Sequence, residues 1–180
     1  MNKKITLKRY VIHILAINAI NADAFDRPYD QTALISCTDR TNQFLSSNIL
    51  PHKLVVPFLD VEIKNHPGAF NGNHAHQIIR FLQGLPENVT DLYVCCSKGG
   101  SRSAALAAAL LKASRRSDAP VWKNPFYVPN KLVYQRMCRS LGSTMPHLAV
   151  RMKAASNARQ YKKAKRRGSS GKFERWQLLE

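Results

Sequence analysis

Residues 91–113, DLYVCCSKGGSRSAALAAALLKA, contain the clearest secondary-structure pattern of the sequence. The apolar residues 92–95 predict a short strand at 91–95, and the small residues at 97–101 predict a tight loop. The Ala- and Leu-rich run at 103–113 predicts a strong helix. A strand that passes through a tight loop into a helix is a building unit of α/β proteins. The stretch therefore predicts an α/β domain.

Strand and helix patterns alternate on both sides of this stretch. Strand patterns cover 5–17, which fits one or two strands, 32–37, and 53–63, where Pro57 interrupts the alternation. Apolar residues at helical spacing run from 71 to 84, and a last helix is expected near 131–141. This alternation predicts a central, mostly parallel sheet flanked by helices.

The junction of the predicted strand and helix carries the pattern C-x-x-G-x-x-R-S, formed by Cys96, Gly99, Arg102 and Ser103. A Cys and an Arg six positions apart are weak evidence alone, because composition yields such a pair roughly 0.3 times by chance. Requiring the Gly and the Ser as well lowers the chance expectation to roughly 0.001–0.002. The full pattern is therefore a strong functional signal.

The residue types of this pattern suit phosphate chemistry. A free thiol has a pKa of about 8.5, and a helix N-terminus with nearby cations lowers it, so Cys96 stands where a nucleophilic thiolate is favoured. Small loop residues allow backbone N–H groups to converge on an anion. A planar guanidinium binds two phosphate oxygens at once. The predicted phosphate-binding residues are Ser97, Lys98, Gly99, Gly100, Ser101 and Arg102.

Around this pattern the sequence resembles the cysteine-dependent protein tyrosine phosphatase superfamily, in particular the short dual-specificity-like enzymes of bacteria and phages. The resemblance runs from Ala33 to Gly142 and includes the segments PFLDVEI, FNGNHAHQIIRFL and YVCCSKGGSRSAALAAALL. It implies a protein tyrosine phosphatase-like fold with the phosphate-binding loop between a strand and a helix. It also implies that Cys96 is the nucleophile, that Arg102 clamps the phosphate and that Ser103 assists thiolate release.

The family also uses an Asp on an upstream loop to protonate the leaving oxygen. Asp60 is the candidate here, because it lies at a strand end, after the interruption at Pro57, where a loop can bring it over the phosphate. Glu62 lies close by and remains an alternative acid. The sequence departs from the family at Cys95, where a His is usual, and Cys95 is also a candidate redox partner for Cys96 or Cys37.

The length of the chain indicates its domain organisation, and its net charge indicates the kind of partner it can bind. A chain of 180 residues suits one domain, which we assign to 1–145, followed by a basic C-terminal tail at 146–180. The 28 Lys and Arg against 11 Asp and Glu give a net charge of +17. The last thirty residues hold ten Lys or Arg against two Glu, a charge of +8. The tail is therefore either a solvated cationic segment or an arm that binds RNA or DNA.

Targeting, redox and cofactor signals are few. The apolar stretch 11–20 is interrupted by His13 and Asn18, so it is expected to be neither a membrane span nor a secretory signal. We expect reduced cysteines and a cytoplasmic protein, in a host's cytoplasm if the chain is of phage origin. His74 and His76 are two positions apart and so point to different helix faces, which predicts no metal site there. Hydrolysis through a cysteine nucleophile is expected to need no metal or organic cofactor.

The sequence therefore predicts a phosphatase that hydrolyses phosphomonoesters through a phosphocysteine intermediate. Phosphorylated protein, at Tyr and also at Ser or Thr, is the first substrate class. An RNA 5′ end or another nucleotide phosphate is the second, because the high positive charge suits a polyanion. A catalytically weak module that only binds phosphate or nucleic acid is the third reading.

Overall fold

The fold is described from a computed structural model of the chain. The described residues are 7–17, 20, 25, 28–38 and 50–166. Part of the predicted strand region at 5–17 and the last part of the predicted basic tail, 167–180, lie outside these residues.

Strands and helices alternate along the chain. The strands are β1 (Val11–Ala16), β2 (Thr32–Thr38), β3 (His52–Pro57) and β4 (Asp91–Cys96). The helices are α1 (Gly72–Gly84), α2 (Arg102–Ala113), α3 (Ala119–Lys123), α4 (Lys131–Ser140) and α5 (His147–Arg166). Short 3-10 helices at Leu7–Arg9 and Tyr29–Gln31 precede β1 and β2.

The four strands form one parallel sheet in the order β1-β4-β2-β3. The predicted α/β class and the central parallel sheet flanked by helices are thus confirmed. Every residue of β2 and of β4 is buried, which explains why these strands read as continuous apolar runs rather than as alternating patterns. Because all strands run the same way, their carboxyl ends share one edge, where Ala16 pairs with Cys96.

The sheet separates two apolar clusters. Leu92, Val94 and Cys96 belong to the larger one, which also contains most of α2. Tyr93 and Cys95 point the other way, into a smaller cluster. Ten of the twelve residues of α2 are buried, and each buried leucine there contributes about 2 kcal/mol. The helix that follows Cys96 is therefore held firmly against the sheet.

Helix α5 occupies part of the segment predicted as a basic tail, and it follows the helix that sequence analysis took as the last. Polar contacts fix it to the domain. Asp118 accepts a hydrogen bond from the Tyr134 hydroxyl at 2.6 Å and pairs with Lys153 at 2.7 Å. The buried Asn157 amide donates to the carbonyl oxygen of Trp122 at 3.0 Å. These contacts place one face of α5 beside α3 and α4.

The predicted elements can be compared directly with the observed ones. The strands predicted at 32–37 and 91–95 and the helices predicted at 71–84 and 103–113 are confirmed within one or two residues. The pattern at 53–63 gives a strand only as far as Pro57, after which the chain forms a loop. None of the helices in the described part of the chain has the length and apolar character needed to cross a membrane.

Candidate active site

The loop between β4 and α2 begins at Cys96, the last residue of the strand, and ends at Arg102, the first residue of the helix. The Gly99 N–H donates to the Cys96 carbonyl oxygen at 3.2 Å, and Gly99 has a φ of +68°. A Cβ there would stand 2.7 Å from the backbone carbon of Leu15. Only glycine fits this turn, because any side chain would strain the backbone and collide with β1.

The loop keeps several amide donors available. Among the described residues, nothing accepts a hydrogen bond from the backbone N–H groups of Lys98, Gly100 or Ser101. The Gly100 carbonyl oxygen, in contrast, accepts from the N–H of Val128 at 2.8 Å. The loop is thus braced through a carbonyl oxygen while its amides remain able to bind an anion.

Cys96 lies at the floor of this loop with 2% of its surface exposed. Its Sγ is 3.1 Å from Oγ of Ser103, which is fully buried in the first turn of α2. The contact joins two residues that sequence analysis assigned to the same reaction. A hydroxyl at this distance can donate a hydrogen bond to a thiolate. The thiolate would lie at the N-terminus of α2, where the helix dipole favours negative charge.

Arg102 is clamped beside the same loop and is only 5% exposed. One guanidinium nitrogen donates to the Phe58 carbonyl oxygen at 2.8 Å, and the other donates to Oγ of Ser97 at 2.8 Å. The guanidinium carbon stands 5.9 Å from the centre of the Phe58 ring. These contacts fix the plane of the guanidinium next to the nucleophile candidate, which Ser97 directly follows.

Asp60 lies on the exposed loop after β3 and reaches the 96–102 loop. Its Oδ1 accepts a hydrogen bond from the Ser101 hydroxyl at 2.8 Å and another from the Asn130 side-chain amide at 2.8 Å. The buried Asn130 also caps α4, because its Oδ1 accepts from the N–H of Val133 at 3.0 Å. A Pro-Asn pair before a helix is a recognisable capping signal, whereas the contact between Asn130 and Asp60 joins residues 70 positions apart.

Glu62, the alternative acid, is engaged elsewhere. Its Oε1 accepts a hydrogen bond from the backbone N–H of Lys131 at 2.7 Å, and its Oε2 is 2.6 Å from the Lys131 ammonium. Both carboxylate oxygens therefore have partners at the start of α4. The structure brings Asp60, and not Glu62, into contact with the loop that carries Cys96.

All four cysteines are buried, and Cys37 shares the larger apolar cluster with Cys96. Cys95 points to the opposite face of the sheet from Cys96, into the smaller apolar cluster, so these neighbours are not placed as a redox pair. Burial raises the pKa of Cys95 to about 12. Burial first, and the neighbouring thiols second, raise the pKa of Cys37 well above its usual value. Both are held as neutral thiols.

Of the two histidines in α1, His74 has a structural role, because it helps to cap the helix. His74 Nδ1 accepts a hydrogen bond from the N–H of Asn71, and the Asn71 side chain accepts from the His74 N–H, which completes a capping box. Burial and, after it, the nearby Arg136 lower the pKa of His74. No group of three or more His, Cys, Asp or Glu within the described ranges is arranged to hold a metal ion.

A cavity of about 500 Å³ adjoins the site. Asp60 and Ser101 line it on one side, and Ala158 and Tyr161 of α5 line it on the other. Trp122 adds an apolar wall. A substituent attached to a group bound by the 96–102 loop has room to extend into this cavity.

Comparison with protein-family models, with curated proteins and with solved structures found no match to the chain. The assignment of function therefore depends on the residues and geometry described above.

Proposed function

We propose that the protein is a cysteine-dependent phosphatase that hydrolyses phosphomonoesters through a phosphocysteine intermediate, on a protein tyrosine phosphatase-like domain. The observation that carries the proposal is the meeting of four side chains at one loop. Cys96 contacts Ser103, Arg102 contacts the loop at Ser97, and Asp60 contacts it at Ser101. Nucleophile, cation and acid are the groups that phosphoryl transfer to sulfur requires.

In the first step the Cys96 thiolate attacks phosphorus. The S–P bond forms while the bond from phosphorus to the leaving oxygen breaks, and Asp60 gives its proton to that oxygen. Arg102 and the free loop amides hold the three equatorial oxygens, where negative charge is concentrated. The fixed guanidinium contacts with Phe58 and Ser97 orient it before the substrate arrives.

In the second step water attacks the phosphocysteine. Asp60, now ionised, accepts a proton from that water while the S–P bond breaks and inorganic phosphate forms. The departing thiolate needs stabilisation, and the Ser103 hydroxyl at 3.1 Å donates a hydrogen bond to it. Cys96 returns to its starting state.

The hydrogen bonds of the two carboxylates support Asp60 as the acid. Asp60 uses Oδ1 for both of its contacts, with Ser101 and Asn130, which leaves Oδ2 for the leaving group. Glu62 uses both of its oxygens on Lys131. Glu62 therefore has no oxygen without a partner to turn toward a leaving group.

Phosphotyrosine in protein is the substrate class that the family resemblance implies. A phosphate-ended nucleic acid is the second candidate, and one observation favours it. Helix α5 borders the cavity beside Asp60, and its twenty residues contain seven Lys or Arg and no Asp or Glu. Such a helix attracts a polyanion more strongly than an ordinary protein surface.

The test of the chemistry uses p-nitrophenyl phosphate and an alkyl phosphate. We expect turnover that Cys96→Ser abolishes. Asp60→Asn should slow hydrolysis of the alkyl ester at least about tenfold more than that of the nitrophenyl ester, whose leaving group needs little protonation. The matched variant Glu62→Gln should not show this difference. Equal turnover by Cys96→Ser would refute the phosphatase proposal, and an equal leaving-group effect in the two carboxylate variants would remove Asp60 as the acid.

A further inference from the structure

A second cavity, of about 480 Å³, lies on the far side of the Glu62–Lys131 ion pair from the cavity beside Asp60. Residues from the 62–64 loop, from α4 and from the start of α5 line it. We call it the basic pocket, because the described residues of its lining include a single acid, Glu62, and the following basic residues: Lys64, Lys131, Arg136, Arg139, His147 and Arg151.

The charges in the basic pocket are only partly balanced within the protein. Lys131 is paired with Glu62, and Arg136 donates to the carbonyl oxygens of Phe70 and Lys64. The side chains of Lys64, Arg139 and Arg151 are exposed and have no acidic partner among the described residues. Like charges gathered in one concave surface create a positive potential that favours an anionic ligand.

The position of the pocket connects it to the candidate active site. Glu62 and Lys131 line both cavities, so the two spaces are separated by one side-chain pair. Lys131 directly follows Asn130, whose amide holds Asp60. A ligand with one phosphate in the 96–102 loop can therefore extend past Asp60 and place a further phosphate in the basic pocket.

We propose that the basic pocket is a second phosphate subsite for a 5′-phosphorylated, single-stranded nucleic acid substrate; this inference rests on the proposed phosphatase function. Single-stranded nucleic acid presents phosphates at regular intervals along its backbone, so one molecule can supply an anion on each side of the Glu62–Lys131 pair. Its bases need flat apolar surface, and Tyr161, 45% exposed, lines the neighbouring cavity. The acid-free helix α5 extends the positive surface beyond the pocket.

The positive charge of the basic pocket favours an oligonucleotide over a phosphopeptide as the substrate. Among the described residues the pocket contains five Lys or Arg and, with Glu62 already paired, no free carboxylate to bind a basic peptide side chain. A phosphotyrosyl peptide with one phosphate and no acidic side chains leaves the exposed cations Arg139 and Arg151 without a partner. An oligonucleotide supplies further phosphates to both.

The test compares a 5′-phosphorylated mononucleotide, a 5′-phosphorylated single-stranded oligonucleotide and a phosphotyrosyl peptide as substrates. We expect the wild-type kcat/KM to favour the oligonucleotide over the mononucleotide by about tenfold. Arg139→Gln combined with Arg151→Gln should remove most of this preference through KM, with a shallower dependence of log KM on log salt, by about 1.4 for two lost phosphate contacts. The matched variant Arg80→Gln with Lys112→Gln removes two exposed cations that line neither cavity, and it should keep the preference.

A binding measurement distinguishes failure of this inference from failure of the proposed phosphatase function. Fluorescence anisotropy of a labelled 5′-phosphorylated oligonucleotide on Cys96→Ser requires no turnover, and we expect the Arg139/Arg151 change to weaken binding about tenfold in that background. If no phosphomonoester is hydrolysed but binding still depends on these arginines, the phosphatase proposal fails and the pocket remains an anion site. Two results with active enzyme overturn the inference. One is a KM and a binding affinity for the oligonucleotide that do not change in the Arg139/Arg151 variant, and the other is a higher kcat/KM for the phosphotyrosyl peptide than for the oligonucleotide.

Discussion

Removing the hydroxyl that touches Cys96 should separate the two chemical steps. In Ser103→Ala the 3.1 Å contact between Sγ and Oγ is lost, while the alanine suits the first turn of α2. The hydroxyl matters most when the thiolate leaves phosphorus, because a neutral phosphocysteine sulfur needs little stabilisation. The change should therefore slow hydrolysis of the intermediate much more than its formation.

The size of the effect follows from the contact. A hydrogen bond to a charged group contributes about 1.5–3 kcal/mol, and each 1.36 kcal/mol is a factor of ten in rate, so breakdown of the intermediate should slow about 10- to 150-fold. Ser103 is fully buried, so water does not replace the lost donor. The intermediate should then accumulate during turnover.

Quench-flow measurement with p-nitrophenyl phosphate gives both the rate at which the phosphocysteine forms and the rate at which it is hydrolysed. We expect a burst of nitrophenolate approaching one per active site, followed by a slow steady state. The control is Ser114→Ala, which removes another buried serine hydroxyl at the far end of the same helix, where it donates to the Leu111 carbonyl oxygen. No burst and an unchanged steady-state rate in Ser103→Ala, or equal slowing in the control, would refute the assigned role.

Three further predictions concern the loop, a helix cap and the thiols. Gly99→Ala forces a side chain into a φ of +68° and against the backbone of Leu15, so it should lower the free energy of unfolding by at least about 2 kcal/mol; unchanged urea unfolding would contradict this. His74 has a lowered pKa and accepts a hydrogen bond from Asn71 only when neutral. Its stabilising contribution is complete above its unfolded pKa of about 6.5 and is lost as the pH falls further. Urea unfolding from pH 7.5 to 5.5 should therefore show a steeper loss of stability in the wild type than in His74→Gln, and equal slopes would remove this role. Iodoacetate at neutral pH should label Cys96 alone in the folded protein, because burial raises the pKa of each of the other three cysteines; peptide mass spectrometry that finds another cysteine labelled first would contradict this.

Local sequence patterns predicted the elements that follow one another directly in the chain. The buried strand, the small-residue loop and the Ala-rich helix at 91–113 follow one another in the sequence, so their order alone placed Cys96 and Arg102 at a strand–helix junction. The turn at Gly99 also needs little beyond its immediate neighbours, apart from the approach of β1. These are the elements that the sequence predicted most closely.

Long-range polar contacts were not predictable in the same way. The hydrogen bond between Asp60 and Asn130 joins residues 70 positions apart, and no local pattern encodes it. Helix α5 was missed because it contains few large apolar residues. Lys153 and Asn157 attach it through polar contacts to residues far away in the sequence. The basic pocket likewise combines residues from three separate segments, so composition showed the charge but not its location.

In the proposed mechanism a phosphoryl group passes through the sulfur of Cys96. Acid quenching during turnover of a phosphomonoester, followed by peptide mass spectrometry, detects this intermediate, and Ser103→Ala is the background in which it should be most abundant. We expect one phosphoryl group, on the peptide that contains Cys96 and on that sulfur. Continued turnover with the phosphoryl group found on another residue, or with none on the protein at any quench time, would contradict it.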